Sequence, residues 1–225
     1  MSPATKIEYV DRTWKIVTGC LHGCPYCYVK RFAKDWNVPK FHPERLDEPV
    51  KYRKPAMWFV ANTGDLFGDW VPEEWIKLTL GVIKECPQHT FLLLTKNPKR
   101  MAKYDYPPNV WVGTSVTCNA DLMRIEDIRY IKGARCHFVS FEPLLEMLDL
   151  SRVNLIGINW CIVGAESIRQ AHIPKDVVYS QRCAGPLIAE ILVAKIPLFT
   201  KPNLQWKPEY KEMPNPDGGG LCPGS

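Results

Sequence analysis

The sequence predicts an α/β protein made of parallel β/α units, arranged as a partial (β/α)6-type barrel in a single domain. Short runs that are apolar throughout alternate with amphipathic helical stretches, which is typical of parallel strands buried on both faces. No G-x-G-x-x-G motif follows the first run, so the pattern favours a barrel over a dinucleotide-binding sheet. A chain of 225 residues is long enough to form one such barrel.

Seven runs have the composition of buried strands. They cover residues 14–17, 57–61, 90–95, 110–113, 136–140, 160–163 and 197–200. The first run leads into a cysteine-rich loop, after which a short helix is predicted from Tyr28 to about Trp36. Residues 37–55 are polar and contain several prolines, which indicates a long surface connection.

Three longer helices are predicted. The first opens at Pro72, because acidic residues follow a proline there and complement the helix dipole. Its buried face is marked by Ile76, Leu80 and Ile83. The second ends near residue 131, and its inward side chains are Leu122, Ile125 and Ile128. The third spans about 174–194 and is expected to break or kink at Gly185-Pro186.

The core barrel is expected to cover residues 1–206, and a glycine-rich tail at 207–225 is expected to be poorly ordered. A hydrophobic content of 46% and a charged content of 24% are those of an ordinary globular protein. The net charge of +5 permits a nucleic-acid partner without requiring one. Nine cysteines, with no apolar signal segment and no membrane-length apolar run, point to a reducing compartment. We therefore expect a cytoplasmic protein that does not contact a membrane.

Three of the cysteines, Cys20, Cys24 and Cys27, lie in one C-x3-C-x2-C run. Thiols so close in sequence cannot all pair with one another as disulfides, but they can ligate one inorganic site, and iron–sulfur clusters are held by short runs of this kind. Three cysteines leave one iron of a four-iron cluster without a protein ligand, which indicates chemistry at that iron. The alternative is a zinc site completed by His22 or Cys222, although no second C-x2-C pair is present.

Small or polar residues follow every predicted strand. They are found at 62–65, 95–97, 114–115, 140–142, 166–167 and 200–201. The carboxyl ends of barrel strands build the active site, so we expect these residues and the cysteine loop to converge on one mouth. For any single position, a simple helix N-cap is an equally good interpretation.

The cysteine run, with Tyr26 directly before the last cysteine, resembles the signature of the radical S-adenosylmethionine (SAM) superfamily. The resemblance implies that Cys20, Cys24 and Cys27 hold a [4Fe-4S] cluster whose open iron chelates SAM. It also implies reductive cleavage of SAM to a 5′-deoxyadenosyl radical, with the electron supplied by a flavodoxin- or ferredoxin-type donor.

The same resemblance assigns the strand-end residues by their position. Gly64 and Asp65 match the glycine–acid motif that receives the SAM amino group, with Asp65 as the acceptor. Ser115 is placed like the residues that hold the ribose or carboxylate of SAM, and Glu166 like those that contact adenosine. Tyr26 matches the aromatic position beside the cluster.

Three further residues are expected at the mouth. Lys96 is expected to pair with the SAM carboxylate or an anionic substrate, and Glu142 lies among the cofactor-binding groups. Cys118 is a candidate hydrogen-atom donor, as in spore photoproduct lyase, against the alternative of an inert loop cysteine. The remaining cysteines lie in strand or helix patterns and are expected to be small buried hydrophobes: Cys86, Cys136, Cys161 and Cys183.

The order of motifs over residues 7–206 also resembles a phage-associated family that was first described as a domain of unknown function, distantly similar to spore photoproduct lyase. The motifs include Asp65-Leu66-Phe67, Leu94-Thr95-Lys96, Glu142-Pro143-Leu144 and the run at 163–167. This chain departs from that family in its three-residue gap between the first two cysteines, and in Ala165 where other members have glycine. The methyl group of Ala165 argues against a glycine-only backbone angle there.

The family resemblance makes a nucleic acid or a nucleotide the leading substrate class. A basic stretch after the cysteine loop, with Trp36, Phe41 and Tyr52 between its lysines and arginines, is able to bind phosphates and stack bases. A solvated basic surface is an equally good interpretation. Two other functions stay open, a metal-stapled binding module without catalysis and a SAM-dependent methyl or methylthio transfer.

Overall fold

A computed structural model describes residues 5–166 and 177–215. The described chain divides into two compact units. The first contains the residues up to Gly113 together with 131–135, and the second contains residues 114–130 and those from Cys136 onward. Each unit contains parallel strands accompanied by helices, as the sequence predicts for an α/β protein.

The first unit is built on three parallel strands that form because their apolar residues alternate between two packed layers. Its elements are β1 (Arg12–Trp14), β2 (Val17–Thr18), β3 (Lys40–Phe41), α1 (Glu48–Lys51), β4 (Met57–Val60), α2 (Glu73–Glu85), β5 (Thr90–Thr95) and α3 (Pro98–Met101). β4 lies between β1 and β5, so that Trp58 pairs with both Arg12 and Phe91. β2 and β3 form a separate antiparallel ribbon.

The second unit repeats the parallel arrangement. Its elements are the end of β6 (Val110–Ser115), α4 (Met123–Arg129), β7 (Cys136–Phe141), β8 (Trp160–Val163), α5 (Val177–Val193) and β9 (Leu198–Thr200). β8 lies between β7 and β9, and Ile162 pairs with Ser140 and Phe199. The hydrogen-bonded strand order is β1-β4-β5 in the first unit and β7-β8-β9 in the second, and all of these pairings are parallel.

Helix α2 begins after Pro72 as predicted, but its buried face differs by one residue. Ile76 and Ile83 are fully buried, whereas Leu80 is only half-buried and Thr79 takes the inward position. The Thr79 hydroxyl donates to the carbonyl of Trp75, which satisfies it inside the core. The inward face of α4 is confirmed, because Leu122, Ile125 and Ile128 are buried.

The segment around the cysteine loop differs most from its prediction. The expected strand at 14–17 is divided between β1 and β2. The expected helix from Tyr28 to Trp36 is a 3-10 turn that ends at Arg31, because Phe32 leaves the helical conformation with a φ of −130° and a ψ of −10°. The connection at 37–55 is not structureless, since it contains β3 and α1.

Helix α5 runs through Gly185-Pro186 and ends only at Val193, so the expected break does not occur. Buried Cys183, Leu187 and Ile191 pack on either side of the proline, and their burial offsets its cost of about 3 kcal/mol in a helix interior. Part of the expected tail also has structure, because Tyr210 and Glu212 hydrogen-bond to β9. Residues 174–176 and 216–225 lie outside the described residues. None of the described helices combines the length and apolar composition needed to span a membrane.

Candidate functional site

The cysteine loop begins where β2 ends, and main-chain hydrogen bonds hold it in place. Gly19 has a φ of +76°, and a Cβ there would lie 2.0 Å from the carbonyl oxygen of Val38, so only glycine fits. The Gly19 N–H donates to the carbonyl of Thr63 at 3.2 Å, and the Cys20 N–H donates to Trp36 at 2.8 Å. The loop is therefore attached both to the segment after β4 and to the chain that follows it.

The thiols of this loop differ from most other cysteines in exposure. Cys20, Cys24 and Cys27 are half-buried, as is Cys118. The other described cysteines are fully buried, which confirms that they are core residues: Cys86, Cys136, Cys161 and Cys183. Burial raises the pKa of the Cys136 and Cys161 thiols far above the ordinary value, so both stay protonated.

Burial and neighbouring groups of the loop set the pKa of Cys20. Desolvation raises the pKa of Cys20 to about 12, and a hydrogen bond from the His22 backbone N–H opposes part of that rise. That value includes a smaller contribution from repulsion by Asp65, Cys24 and Cys27, which also raises the pKa. A bound cationic iron or zinc centre removes that repulsion, so the donor set fits a soft metal centre. Across the described ranges, no three His, Cys, Asp or Glu side chains form a ready-made site for a single ion.

Asp65 lies at the centre of the loop's polar contacts. Its carboxylate is 4% exposed and accepts four hydrogen bonds. Oδ1 accepts from the Phe67 N–H at 3.0 Å and the Thr95 hydroxyl at 2.7 Å. Oδ2 accepts from the Lys96 N–H at 3.0 Å and pairs with His22 Nε2 at 2.7 Å. The carboxylate therefore joins the cysteine loop to the ends of β4 and β5.

His22 therefore belongs to the hydrogen-bond network of Asp65, whereas the sequence indicated it only as an alternative fourth ligand of a zinc site. Its ring packs edge-on against Trp70, with 4.8 Å between the ring centroids. Its partner Asp65 is 43 positions away, so spacing alone does not reveal the pair. The only signal in the sequence is a histidine inside the cysteine run, four residues after the end of β2.

Lys96 and Tyr26 are brought together in the same unit. The Lys96 Nζ donates to the Tyr26 hydroxyl at 2.8 Å and lies 5.1 Å from the centre of the tyrosine ring. Both side chains are half-buried. This contact places a cation beside the aromatic residue that precedes Cys27.

The segment after β4 carries two buried polar atoms without a hydrogen-bond partner among the described residues, Asn62 Oδ1 and Thr63 Oγ1. The backbone of this segment is paired with the cysteine loop, since Tyr28 OH donates to the Asn62 carbonyl and Gly64 forms a parallel bridge with Gly19. Unsatisfied buried oxygens cost about 1–3 kcal/mol each, so they indicate a ligand that supplies donors.

Gly64 itself has a packing role. A Cβ at this position would lie 2.9 Å from the Val17 carbonyl oxygen and 3.2 Å from that of Gly19. The backbone after β4 and the backbone of the cysteine loop therefore approach too closely for any side chain. This close approach explains a glycine next to Asp65 without reference to a ligand.

In the second unit, Glu142 pairs with Lys201 at the carboxyl ends of β7 and β9. The Lys201 Nζ lies 2.7 Å and 2.9 Å from the two oxygens of Glu142, and both side chains are mostly buried. Gly164, after β8, lies under this pair, because a Cβ there would be 3.1 Å from Glu142 Cγ and 3.2 Å from Lys201 Cδ. The sequence placed Lys201 at a strand end without assigning it a role.

The other residues that the sequence predicts at this site have different partners from the Glu142–Lys201 ion pair. Ser115 is buried at the end of β6, and its carbonyl accepts from Arg124 at 2.9 Å. Cys118 is half-buried in the extended stretch that precedes α4. Ala165 has no positive φ, as its methyl group predicts, and exchanges backbone hydrogen bonds with the side-chain amide of Asn203. Glu166, which follows Ala165 in the sequence, is half-buried.

The fold and the site define an α/β protein with a three-cysteine loop at the end of its first strand region. The family described as "Protein of unknown function (DUF5131)" has a model that matches residues 4–177, which is well over half of the chain. The chain belongs to that family. Comparison with curated proteins and with solved structures finds no match.

Proposed function

We propose that the protein is a radical SAM enzyme, and that its sheet is the partial barrel of that class. The observation that carries the proposal is the cysteine loop itself, where three half-buried thiols lie on a loop whose backbone is bonded to the segment that holds the unsatisfied buried oxygens. The thiols of Cys20, Cys24 and Cys27 would hold a [4Fe-4S] cluster. When bound, the cluster and SAM supply a one-electron cleavage that releases methionine and a 5′-deoxyadenosyl radical able to abstract hydrogen from a substrate.

Among the residues after β4, Asn62 and Thr63 are better suited to bind SAM than Asp65. Both oxygens of Asp65 are already occupied, whereas Asn62 Oδ1 and Thr63 Oγ1 are buried acceptors with no described donor. We therefore assign the SAM amino group to Asn62 and Thr63. Asp65 becomes a positioning residue that holds His22, and through it the loop, while Gly64 allows the two backbones to meet.

Lys96 carries the positive charge of this region. Its contact with the Tyr26 hydroxyl orients the ammonium group beside the loop, where it can bind a carboxylate of SAM or an anionic substrate. In the second unit we keep Ser115, Glu142 and Glu166 as SAM-binding residues and Cys118 as the hydrogen-atom donor. A nucleic acid or nucleotide is the proposed substrate class, and reduction requires a flavodoxin- or ferredoxin-type donor.

The test is anaerobic reconstitution with iron and sulfide. The wild-type protein should acquire a brown absorbance and an iron–sulfur EPR signal on reduction, and SAM should perturb that signal. Cys20→Ala, Cys24→Ala and Cys27→Ala should each lose the signal. Cys118→Ala, which removes an equally half-buried thiol, should retain it. A wild-type protein that binds no iron would refute the proposal.

A non-catalytic zinc-stapled binding module is the second candidate, and one contact favours it. Histidines that ligate metals usually donate their second ring nitrogen to a carboxylate, and His22 Nε2 pairs with Asp65 in that way. Three cysteines and His22 would complete a zinc site. Elemental analysis separates the two functions. Stoichiometric zinc in the wild-type protein that is lost in His22→Phe would establish the zinc-binding module.

A further inference from the structure

The surface around the cysteine loop exposes an unusual number of large apolar side chains. Four of them lie between residues 21 and 38, and their exposed fractions are 50% for Leu21, 42% for Tyr28, 63% for Phe32 and 55% for Val38. A concentration of exposed apolar groups in one segment marks an interaction site more often than a free surface.

This segment is fastened to the cysteines. The Trp36 carbonyl accepts from the Cys20 N–H at 2.8 Å, and Lys30 Nζ donates to the Cys24 carbonyl at 2.9 Å. The Tyr28 and Phe32 rings, 5.8 Å apart, form one exposed aromatic pair just after Cys27. A partner that covers these rings would therefore lie directly beside the cysteine loop.

The same segment is basic. Residues 20–40 contain four basic side chains and one acidic one, Asp35, so the segment carries 4 − 1 = +3 of the chain's net +5. The four basic side chains are all exposed: Lys30, Arg31, Lys34 and Lys40. A surface that exposes both apolar and basic side chains is complementary to an acidic protein surface that has its own apolar patch.

Nucleic acid is a poorer match for this segment, because its expected base-stacking rings are engaged within the chain. Lys30 lies 4.5 Å from the centre of the Trp36 ring, and Phe41 stacks on Trp75 with 5.3 Å between centroids. The Arg12 guanidinium lies 3.8 Å from the centre of the Tyr52 ring. Of the four exposed apolar side chains, the aromatic Tyr28 and Phe32 contact each other, and the aliphatic Leu21 and Val38 cannot stack on bases.

We propose that this surface, defined by Leu21, Tyr28, Phe32, Val38, Arg31 and Lys34, docks an acidic one-electron carrier protein. The inference rests on the proposed radical SAM function, which requires an electron from outside the chain. In each encounter the carrier is oxidised by one electron and the cluster held by the loop is reduced by one. A small interface with an apolar centre suits such a partner, since redox complexes are transient and bury little area.

The experiment uses the reconstituted full chain with SAM and measures 5′-deoxyadenosine formation with two reductants. One reductant is a bacterial flavodoxin in its fully reduced form and the other is dithionite, which needs no docking. Arg31→Glu combined with Lys34→Glu should lower the flavodoxin-supported rate at least tenfold, and Phe32→Ala should lower it severalfold. Both variants should keep the dithionite-supported rate. Lys84→Glu, a charge reversal at an exposed position of α2, is the matched control and should change neither rate.

Each other outcome overturns the inference in a recognisable way. An unchanged flavodoxin-supported rate in Arg31→Glu/Lys34→Glu would show that the carrier docks elsewhere. The surface would instead be a nucleic-acid interface if the wild-type chain bound a single-stranded DNA oligonucleotide in a salt-sensitive way but did not bind flavodoxin, and if this variant lost the DNA binding. No 5′-deoxyadenosine from the wild-type chain with dithionite would refute the proposed function itself, and the docking proposal with it.

Discussion

Two glycines, Gly64 after β4 and Gly164 after β8, show how differently the two candidate regions are built. A Cβ at Gly64 would meet the backbone oxygens of Val17 and Gly19, at 2.9 Å and 3.2 Å. A Cβ at Gly164 would meet only side-chain carbons of Glu142 and Lys201, at 3.1 Å and 3.2 Å. Backbone cannot move without displacing an element, whereas a side chain can change its torsion angles.

The difference has a functional meaning. The cysteine loop is held by main-chain contacts and by Asp65, which accepts hydrogen bonds from three parts of the first unit. The backbone of such a loop is held in place before any metal binds. The Glu142–Lys201 pair is a contact between two flexible side chains, so it can open when a ligand offers a different partner.

Asp65→Ala should have the largest effect on stability. The substitution leaves the Phe67 N–H, the Thr95 hydroxyl and the Lys96 N–H without their acceptor, and unsatisfied buried donors cost about 1–3 kcal/mol each. We expect a loss of about 3 kcal/mol, measured by urea denaturation of the protein before reconstitution. Asp69→Ala is the matched control, because Asp69 is exposed and, within the described part of the chain, accepts only from Asn97. It should change stability by less than about 0.5 kcal/mol. Equal effects of the two substitutions would contradict the central role of Asp65.

Gly64→Ala should come next, at about 2 kcal/mol, because its methyl group forces two backbone segments apart. The displaced loop should also bind iron more weakly on reconstitution. Gly81→Ala on α2 is the control, since no atom lies within 4 Å of the added Cβ. It should stabilise the protein by about 1 kcal/mol through helix propensity. A Gly64→Ala protein with wild-type stability and iron content would mean that the close approach is not required.

Gly164→Ala should have the smallest effect on stability, below about 1 kcal/mol, because Glu142 and Lys201 can shift by a few tenths of an ångström. Its iron content should match that of the wild type, since the pair lies in the other unit. A thermal denaturation series with Gly64→Ala in parallel measures the contrast. If Gly164→Ala is as damaging as Gly64→Ala, the second region is as rigid as the first.

The regular elements were more predictable from the sequence than the contacts of the site. β5 and β8 match their predicted bounds because each is one continuous apolar run. The cysteine ligand candidates were equally visible, since their signal is local spacing. The His22–Asp65 and Glu142–Lys201 pairs join residues 43 and 59 positions apart, so no local pattern encodes them. The prediction of a helix up to Trp36 was wrong beyond Arg31, where Phe32 takes a non-helical φ of −130°.

The most direct test of the radical SAM proposal is the appearance of 5′-deoxyadenosine when the anaerobically reconstituted chain is given SAM and dithionite. We expect its formation to depend on the reductant, to be abolished in Cys24→Ala and to persist in Cys118→Ala without added substrate. Deuterium transferred into 5′-deoxyadenosine from labelled nucleotides or oligonucleotides would then identify the substrate. A chain that holds a full cluster and binds SAM, yet releases no 5′-deoxyadenosine under reduction, would contradict the proposal.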